Sequence, residues 1–158
     1  MSIHSHVVKL AGVETSLSKY RGSVVLITNV ASMCGFTHAQ YPQLQELHSR
    51  LSQGQNLKNG FTVLAFPSND FAQEPLGSVQ ACEFAQEQFQ VTFPVFDKVR
   101  VKGARADPLF QTLALGCGPP RWNFTKYLCD AEGVPFKKYD VATPYTQIEL
   151  DAQLLMSR

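Results

Sequence analysis

The chain has 158 residues, a formal net charge of +1 and 44% hydrophobic residues. A chain of this size and apolar content can bury one continuous core, so residues 1–158 are predicted to form a single domain. The near-neutral charge argues against a nucleic-acid-binding surface. Residues 24–27, the longest apolar run near the start of the fold, are too few to cross a bilayer. Since the first six residues also lack the features of a secretion signal, we expect a cytoplasmic protein without stable membrane insertion.

Seven short segments have the composition of strands. Two of them, residues 23–30 and 61–67, are almost continuously apolar, which is typical of parallel strands buried on both faces. Residues 130–133, Asp-Ala-Glu-Gly, indicate a hairpin turn between the last two strands. The predicted strands are residues 7–10 and 13–15, which form an N-terminal hairpin, then 23–30, 61–67, 94–101, 123–129 and 134–139.

Four segments between and after these strands are predicted to be helices. Leu44, Leu47 and Leu51 lie on one helical stripe, and polar loops are expected at residues 52–59 and 68–78. The predicted helices are residues 39–51, 79–89, 107–115 and a last one that Thr143-Pro144 caps and that ends near residue 155. This order predicts an α/β domain with a thioredoxin-like fold, in which helices flank a central mixed sheet.

The four cysteines, Cys34, Cys82, Cys117 and Cys129, are too few for a disulfide-stapled secreted scaffold. They form no Cys-x-x-Cys pair, so neither a zinc knuckle nor a redox pair is predicted. Cys34 follows a buried strand and precedes a helix, at the edge where open α/β sheets bind ligands, and we expect an exposed site there. A helix N-terminus favours thiolate over thiol and can bring a cysteine pKa from about 8.5 to roughly 3.5–7.5. By position alone, Cys34 is equally well a nucleophile or a small packing residue.

The histidines have no carboxylate or cysteine partners at metal-binding spacing, and the sequence contains no glycine-rich phosphate loop. We therefore expect no metal and no other cofactor.

Three segments resemble, in order, the signatures of glutathione peroxidases: residues 29–37 (NVASMCGFT), 66–75 (FPSNDFAQEP) and 122–128 (WNFTKYL). The resemblance runs from about residue 7 to residue 155. It implies a thiol-dependent peroxidase of antioxidant defence, in which Cys34 attacks hydrogen peroxide or an organic hydroperoxide, lipid hydroperoxides included. The sulfur becomes a sulfenic acid, which a second thiol then reduces.

The same resemblance places a tryptophan, an asparagine and a glutamine around the reactive sulfur. Trp122 and Asn123 match the first two, and both side chains carry N–H donors. The glutamine falls on Asp70, whose ionised carboxylate could only accept hydrogen bonds and would repel a thiolate. Three alternatives follow for Asp70. It is protonated, or it points away from the sulfur while Asn69 or main-chain amides supply the donor. In the third alternative, the enzyme is slower than a typical member of the family.

Thioredoxin-dependent members of the family carry a resolving cysteine on the helix before the Phe-Pro strand, near Gln86 in this sequence. Cys82 is one helical turn upstream and is the resolving candidate. Cys117 is the runner-up, and Cys129 is expected to be structural. The resemblance leaves thioredoxin or glutathione open as the reductant.

The connection from Phe110 to Trp122 is short, which by resemblance implies a monomer whose open site admits bulky lipid hydroperoxides. Two other functions remain open on the same fold. The chain could be a non-catalytic thiol redox sensor or adaptor, with its activity blunted by Asp70. It could also be a disulfide exchanger, which the absence of a Cys-x-x-Cys pair disfavours.

Overall fold

The computed structural model describes residues 1–53 and 57–158. Within them the chain forms six strands and four α-helices, with two short 3₁₀ helices near the N-terminus at Ile3–Ser5 and Leu17–Tyr20. The strands are β1 (Val7–Leu10), β2 (Val13–Ser16), β3 (Ser23–Val30), β4 (Gly60–Pro67), β5 (Lys126–Cys129) and β6 (Pro135–Tyr139). The helices are α1 (Thr37–Ser52), α2 (Ser78–Phe89), α3 (Pro108–Cys117) and α4 (Tyr145–Met156).

β3 is the strand around which the sheet is organised. The order across the four-stranded sheet is β4-β3-β5-β6. β3 runs parallel to β4, in register from Ser23 opposite Gly60 to Val30 opposite Pro67, and antiparallel to β5. β5 and β6 form the closing hairpin, and β1 and β2 pair separately as the N-terminal one. This mixed sheet with flanking helices confirms the predicted thioredoxin-like α/β fold.

Alternate residues of β3 face opposite sides of the sheet and take part in two separate cores. Val24 and Leu26 belong to the α1 core, which also contains buried residues of α1, α2 and α4. Val25 and Ile27 belong to the α3 core, together with residues of α3 and the 3₁₀ helices. Because both faces are covered, every second residue need not be polar, which explains the continuous apolar pattern.

The predicted strand at residues 94–101 is wrong. In the described chain this segment forms a single parallel bridge, between Ala65 of β4 and Val95. The Asp97 N–H then donates to the Lys9 carbonyl of β1 at 2.8 Å instead of continuing along β4. The Lys98 N–H donates to Ser78 Oγ, and the segment returns to β4 only where the Val99 N–H donates to the Pro67 carbonyl at 3.0 Å. Since Pro67 has no N–H, β4 cannot supply the next donor of a regular ladder, and the pairing stays a single bridge.

The first residue of β5 and the cap of α4 also differ from prediction. β5 begins three residues later than predicted because Phe124 has a φ of +61°, a left-handed conformation that a strand does not accommodate. The start of α4 has Pro144 at the N-cap position with no side-chain cap. Thr143 does not cap it, since its hydroxyl donates to Asp140 Oδ1 at 3.2 Å.

The first helix extends past both predicted ends. α1 begins two residues early, at Thr37, and ends at Ser52. The predicted loop at residues 52–59 includes residues 54–56, which lie outside the described residues.

Candidate active site

Cys34 lies in the turn between β3 and α1. Its Sγ accepts a hydrogen bond from the Phe36 N–H at 3.4 Å, and α1 begins one residue later at Thr37. The Thr37 hydroxyl donates to the Ala31 carbonyl at 2.7 Å and closes the turn. Cys34 is only 6% exposed, so the sulfur is nearly buried rather than exposed as expected. The side chains of Met33 and Phe36 on either side of it are exposed.

Two hydrogen bonds hold this turn against the loop that follows β4. The Met33 N–H donates to the Gln73 carbonyl at 3.0 Å, and the Ser32 hydroxyl donates to Glu74 Oε1 at 2.9 Å. Glu74 is fully buried. Burial raises the pKa of its carboxyl, although the hydrogen bond from Ser32 opposes that rise. The loop after β4 is thus fixed beside Cys34 by both main-chain and side-chain contacts.

A third segment, at Trp122 and Asn123, meets the same loop. The Asn29 Nδ2 of β3 donates to the Trp122 carbonyl at 3.1 Å, and the Phe124 N–H donates to the Asn29 carbonyl at 2.6 Å. Asn123 is fully buried, and its Nδ2 donates to Gln73 Oε1 at 2.9 Å. Gln73 is a site residue that the sequence interpretation missed. The available signal was its place in the second resembling segment, three residues after Asp70.

The Trp122 indole is 39% exposed and packs against Phe71, with ring centroids 5.3 Å apart. Phe71 comes from the same loop as Gln73. Three chain segments, which carry Cys34, Gln73 and the Trp122-Asn123 pair, therefore meet at the carboxyl end of β3.

Two residues without a glycine's freedom adopt left-handed backbone at this site. Ala72 has a φ of +60° and Phe124 a φ of +61°. Each is adjacent to one member of the hydrogen-bonded Gln73–Asn123 pair. Such a conformation costs on the order of 1–3 kcal/mol at a non-glycine residue and persists where surrounding contacts enforce it. The two turns set the directions in which the amide side chains leave the backbone.

Comparison with known proteins identifies the family of this chain. A model of the glutathione peroxidase family matches residues 3–114 of the chain, well over half of it. The chain belongs to the glutathione peroxidase family.

Curated relatives match nearly the whole chain. A probable phospholipid hydroperoxide glutathione peroxidase of Mesembryanthemum crystallinum is 41% identical over 98% of this chain and 92% of its own length. A glutathione peroxidase of Schistosoma mansoni is 40% identical over 99% of this chain and 94% of its own. This member of the family is therefore a peroxidase, an oxidoreductase that reduces hydroperoxides.

Solved structures show the same fold. The crystal structure of T. cruzi GPX1 has a TM-score of 0.78 at 32% identity and covers 99% of this chain and 97% of that one. A thiol:disulfide interchange protein of Chlorobium tepidum has a TM-score of 0.71 at 13% identity, over 99% of this chain and 96% of that one. The second likeness concerns the fold alone.

Asp70, where this family member departs from the glutamine expected by resemblance, makes its contacts elsewhere. Its Oδ2 accepts hydrogen bonds from the Val101 N–H at 2.7 Å and the Lys102 N–H at 3.1 Å. Its Oδ1 lies 3.5 Å from Arg100 Nε. Asn69 also makes its contact within the loop, because its Oδ1 accepts a hydrogen bond from the Glu74 N–H at 3.0 Å. These contacts favour the alternative in which Asp70 is turned away from the thiol.

We expect Asp70→Ala to lower the free energy of unfolding by about 1–3 kcal/mol, because two main-chain N–H groups lose a charged acceptor. The rate of hydrogen peroxide reduction should stay within about twofold of wild type, since the carboxylate braces residues 100–102. Denaturant unfolding and peroxide consumption measure the two effects.

A matched control for this substitution is Asp107→Ala. It also removes a carboxylate that accepts a main-chain N–H, that of Leu109 at 2.9 Å, but at the start of α3. A tenfold loss of peroxidase rate in the Asp70 variant alone would contradict the bracing role.

The four cysteines are divided between the two faces of the sheet. Cys34 belongs to the α1 core and Cys82 packs against that core. Cys129 belongs to the α3 core and Cys117 packs against that one. Burial raises the pKa of the Cys82, Cys117 and Cys129 thiols. The shared face favours Cys82 over Cys117 as the partner of Cys34.

Cys82 is half-buried on α2, a helix of 12 residues in which only Ala81 and Ala85 are fully buried. Burial is the main cause of the raised pKa of Cys82, and the negative charges of Glu83 and Asp97 raise it further. Unwinding this helix would uncover the two buried alanines and would also separate Phe84 and Phe89 from Tyr41, whose ring centroid lies 6.5 and 5.1 Å from theirs.

Within the described residues, no group of three or more His, Cys, Asp or Glu side chains is placed to hold a metal ion. None of the helices in residues 1–53 and 57–158 combines the length and apolarity needed to span a membrane.

Proposed function

We propose that Cys34 is the nucleophile of this peroxidase. Its thiolate attacks the terminal oxygen of a hydroperoxide, so that an S–O bond forms as the O–O bond breaks. The sulfur, oxidised by two electrons, becomes a sulfenic acid, and the departing alkoxide or hydroxide takes up a proton to leave as alcohol or water. The observation that carries this proposal is the Phe36 N–H directed at the Cys34 sulfur at 3.4 Å, at the start of α1.

The donors for the departing oxygen are proposed to be Gln73, Asn123 and Trp122. Asn123 Nδ2 donates to Gln73 Oε1, so the NH₂ group of Gln73 is left for the site. Gln73 then takes the role that the resemblance gave to Asp70. Preorganised N–H donors of this kind stabilise charge that develops as a bond breaks.

Peroxide consumption with each reductant in turn tests this function. Sustained removal of hydrogen peroxide with either the thioredoxin system or glutathione is expected, whereas a redox sensor would show a single burst equal to the enzyme concentration. A single burst with both reductants would contradict the proposal. Neither the family match nor any contact of the site favours the sensor.

We propose that Cys82 resolves the sulfenic acid and that thioredoxin then reduces the disulfide. The Cys82 sulfur attacks the Cys34 sulfur, the S–S bond forms and the sulfenic oxygen leaves as water. A disulfide needs Cα atoms within about 7 Å, so α2 must loosen for the bond to close. The position of Cys82 against the same core as Cys34 supports this step, and its cost is the separation of Phe84 and Phe89 from Tyr41.

Cys82→Ser is expected to keep the first turnover and to lose sustained turnover with thioredoxin, because the sulfenic acid is left without its partner thiol. In the wild type, closure of the disulfide should become faster from pH 7 to 9, since burial raises the pKa of Cys82 and the thiolate is the attacking form. Stopped-flow kinetics and peptide mapping of peroxide-treated protein measure these effects.

Cys117→Ser is the matched control and should retain both phases, because Cys117 lies against the α3 core. A mapped Cys34–Cys117 disulfide, or none, would refute the resolving role of Cys82.

Lipid hydroperoxides are proposed among the substrates, supported by relatives whose names include phospholipid hydroperoxide glutathione peroxidase. A monomeric state and a cytoplasmic location stay predictions. Light scattering and cell fractionation check them.

A further inference from the structure

Tyr41 of α1 is the centre of an aromatic cluster in the α1 core, and its side chain is only 1% exposed. Its ring stacks on that of Phe89 with centroids 5.1 Å apart and on that of Phe93 at 6.5 Å. It meets Phe84 edge-on at 6.5 Å and Phe124 edge-on at 5.6 Å. Ring pairs in these arrangements stabilise a fold beyond the apolar area that they bury.

One of these contacts reaches the donors of the peroxidase site. Phe124 directly follows Asn123 and has a φ of +61°. Its N–H donates to the Asn29 carbonyl at 2.6 Å, and Asn123 Nδ2 donates to Gln73 Oε1 at 2.9 Å. A left-handed backbone at a non-glycine residue persists where the surrounding contacts enforce it. The ring of Tyr41 is one of those contacts, so it helps to direct the Asn123 side chain towards Gln73.

Two other contacts hold α2, the helix that carries Cys82. Phe84 and Phe89 both belong to α2, so the ring of Tyr41 packs against two successive turns of this helix. Burial is the main cause of the raised pKa of Tyr41, and the charge of Cys82 is among the further causes. Tyr41 therefore lies within electrostatic reach of Cys82. Since α2 must loosen before the disulfide can close, these ring contacts have to break first.

We propose that Tyr41 is a positioning residue for both half-reactions and that it affects their rates in opposite directions. Through Phe124 it holds the donors of the departing oxygen in place, and so it speeds the oxidation of Cys34. Through its contacts with α2 it keeps the helix folded, and so it slows closure of the disulfide. Both effects rest on the proposed function, because they concern oxidation of Cys34 and its resolution by Cys82.

Tyr41→Leu tests the first effect, because it removes the ring and keeps a buried apolar side chain. The readout is a ratio of two rate constants for Cys34 in a Cys82→Ser background, oxidation by hydrogen peroxide over alkylation by iodoacetamide. Both reagents consume the thiolate, so a change in the thiolate fraction cancels, and only peroxide has a departing oxygen for the donors to stabilise. The ratio should fall at least about threefold, since an aromatic pair is worth roughly 2- to 12-fold in an equilibrium constant.

The second readout is the rate of disulfide closure in the chain that retains Cys82, followed by stopped-flow kinetics as the phase that is independent of peroxide concentration. Tyr41→Leu should raise this rate at least about threefold, because α2 loses two ring contacts. Tyr41→Phe keeps the ring and should leave both readouts as in the wild type. Phe110→Leu is the control for loss of a buried ring, since Phe110 meets Phe66 edge-on at 5.6 Å in the α3 core, and it should change neither readout.

An unchanged value of either readout in Tyr41→Leu overturns the proposal. The same two changes in Phe110→Leu, or a change in Tyr41→Phe as large as in Tyr41→Leu, do so as well. If Tyr41→Leu does not fold, Phe89→Leu decides, and an unchanged closure rate in that variant contradicts the role of Tyr41. Absence of a Cys34–Cys82 disulfide in the wild type would instead contradict the proposed function, and the ratio alone would then decide.

Discussion

Cys34→Ser is expected to abolish peroxide reduction, with a loss of roughly 10³-fold or more in the second-order rate constant. A serine hydroxyl needs a general base to become a nucleophile, whereas a cysteine reacts as the thiolate. The turn itself should survive, because the Phe36 N–H can donate to oxygen as it does to sulfur. Stopped-flow measurement of hydrogen peroxide consumption gives the rate, and denaturant unfolding reports on the fold.

Cys117→Ser is the control for the loss of a thiol as such, since Cys117 packs against the opposite face of the sheet. Its rate of peroxide reduction should equal that of the wild type. Residual activity near the wild-type level in the Cys34 variant would show that another residue reacts with peroxide.

Lys126, at the start of β5, is expected to make the free energy of unfolding depend strongly on pH. Its side chain is fully buried, with Nζ donating to Gln40 Oε1 at 2.6 Å and lying 4.8 Å from the ring centroid of Tyr145. Burial lowers the pKa of Lys126 to about 7, and the charge of Asp140 opposes that shift. The folded chain therefore gives up this proton near neutral pH.

The free energy of unfolding should rise by about 1.5 kcal/mol between pH 7 and pH 8.5 because of this one group. In the unfolded chain a lysine keeps its proton up to about pH 10.4. Above pH 7 the unfolded state thus binds more protons than the folded state, so stability increases with pH. Well below pH 7 the lysine is protonated in both states and its contribution to the pH dependence vanishes. Buried thiols with raised pKa act in the opposite direction only near and above about pH 8.5.

Lys126→Met should remove this rise, because the buried amine is replaced by an uncharged chain of similar length. Lys137→Met is the matched control, since the Lys137 side chain is 45% exposed beside Asp151, and it should retain the rise. Urea unfolding at several pH values measures the difference. A rise that persists in the Lys126 variant would show that other groups cause it.

The sequence predicted the fold well where one pattern determined one structure. Continuous apolar runs gave β3 and β4, because both faces of each strand are covered. Residues 94–101 are also rich in apolar residues but form only a bridge with β4, since the Asp97 N–H donates to Lys9 of β1 and Pro67 of β4 has no N–H to donate. Competition for hydrogen-bond partners between distant segments has no local signal in the sequence.

The site was predicted in its segments but not in every residue. The turn of Cys34 and the Trp122-Asn123 pair follow from strand ends and resemblance, and the structure brings their segments together. Gln73 was missed because the glutamine expected by resemblance falls on Asp70, three residues earlier. The choice between the two depends on the left-handed turn at Ala72 and on the N–H groups that engage the Asp70 carboxylate.

The left-handed residues Ala72 and Phe124 differ in how well each position tolerates substitution by glycine. Ala72 is exposed, so glycine there would remove the conformational penalty at the cost of a looser unfolded chain, a nearly balanced exchange. Phe124 is fully buried and its ring meets that of Tyr41 at 5.6 Å, so glycine there would open a cavity in the α1 core. Position 72 can therefore accept other residues in the course of evolution, whereas position 124 requires an aromatic side chain.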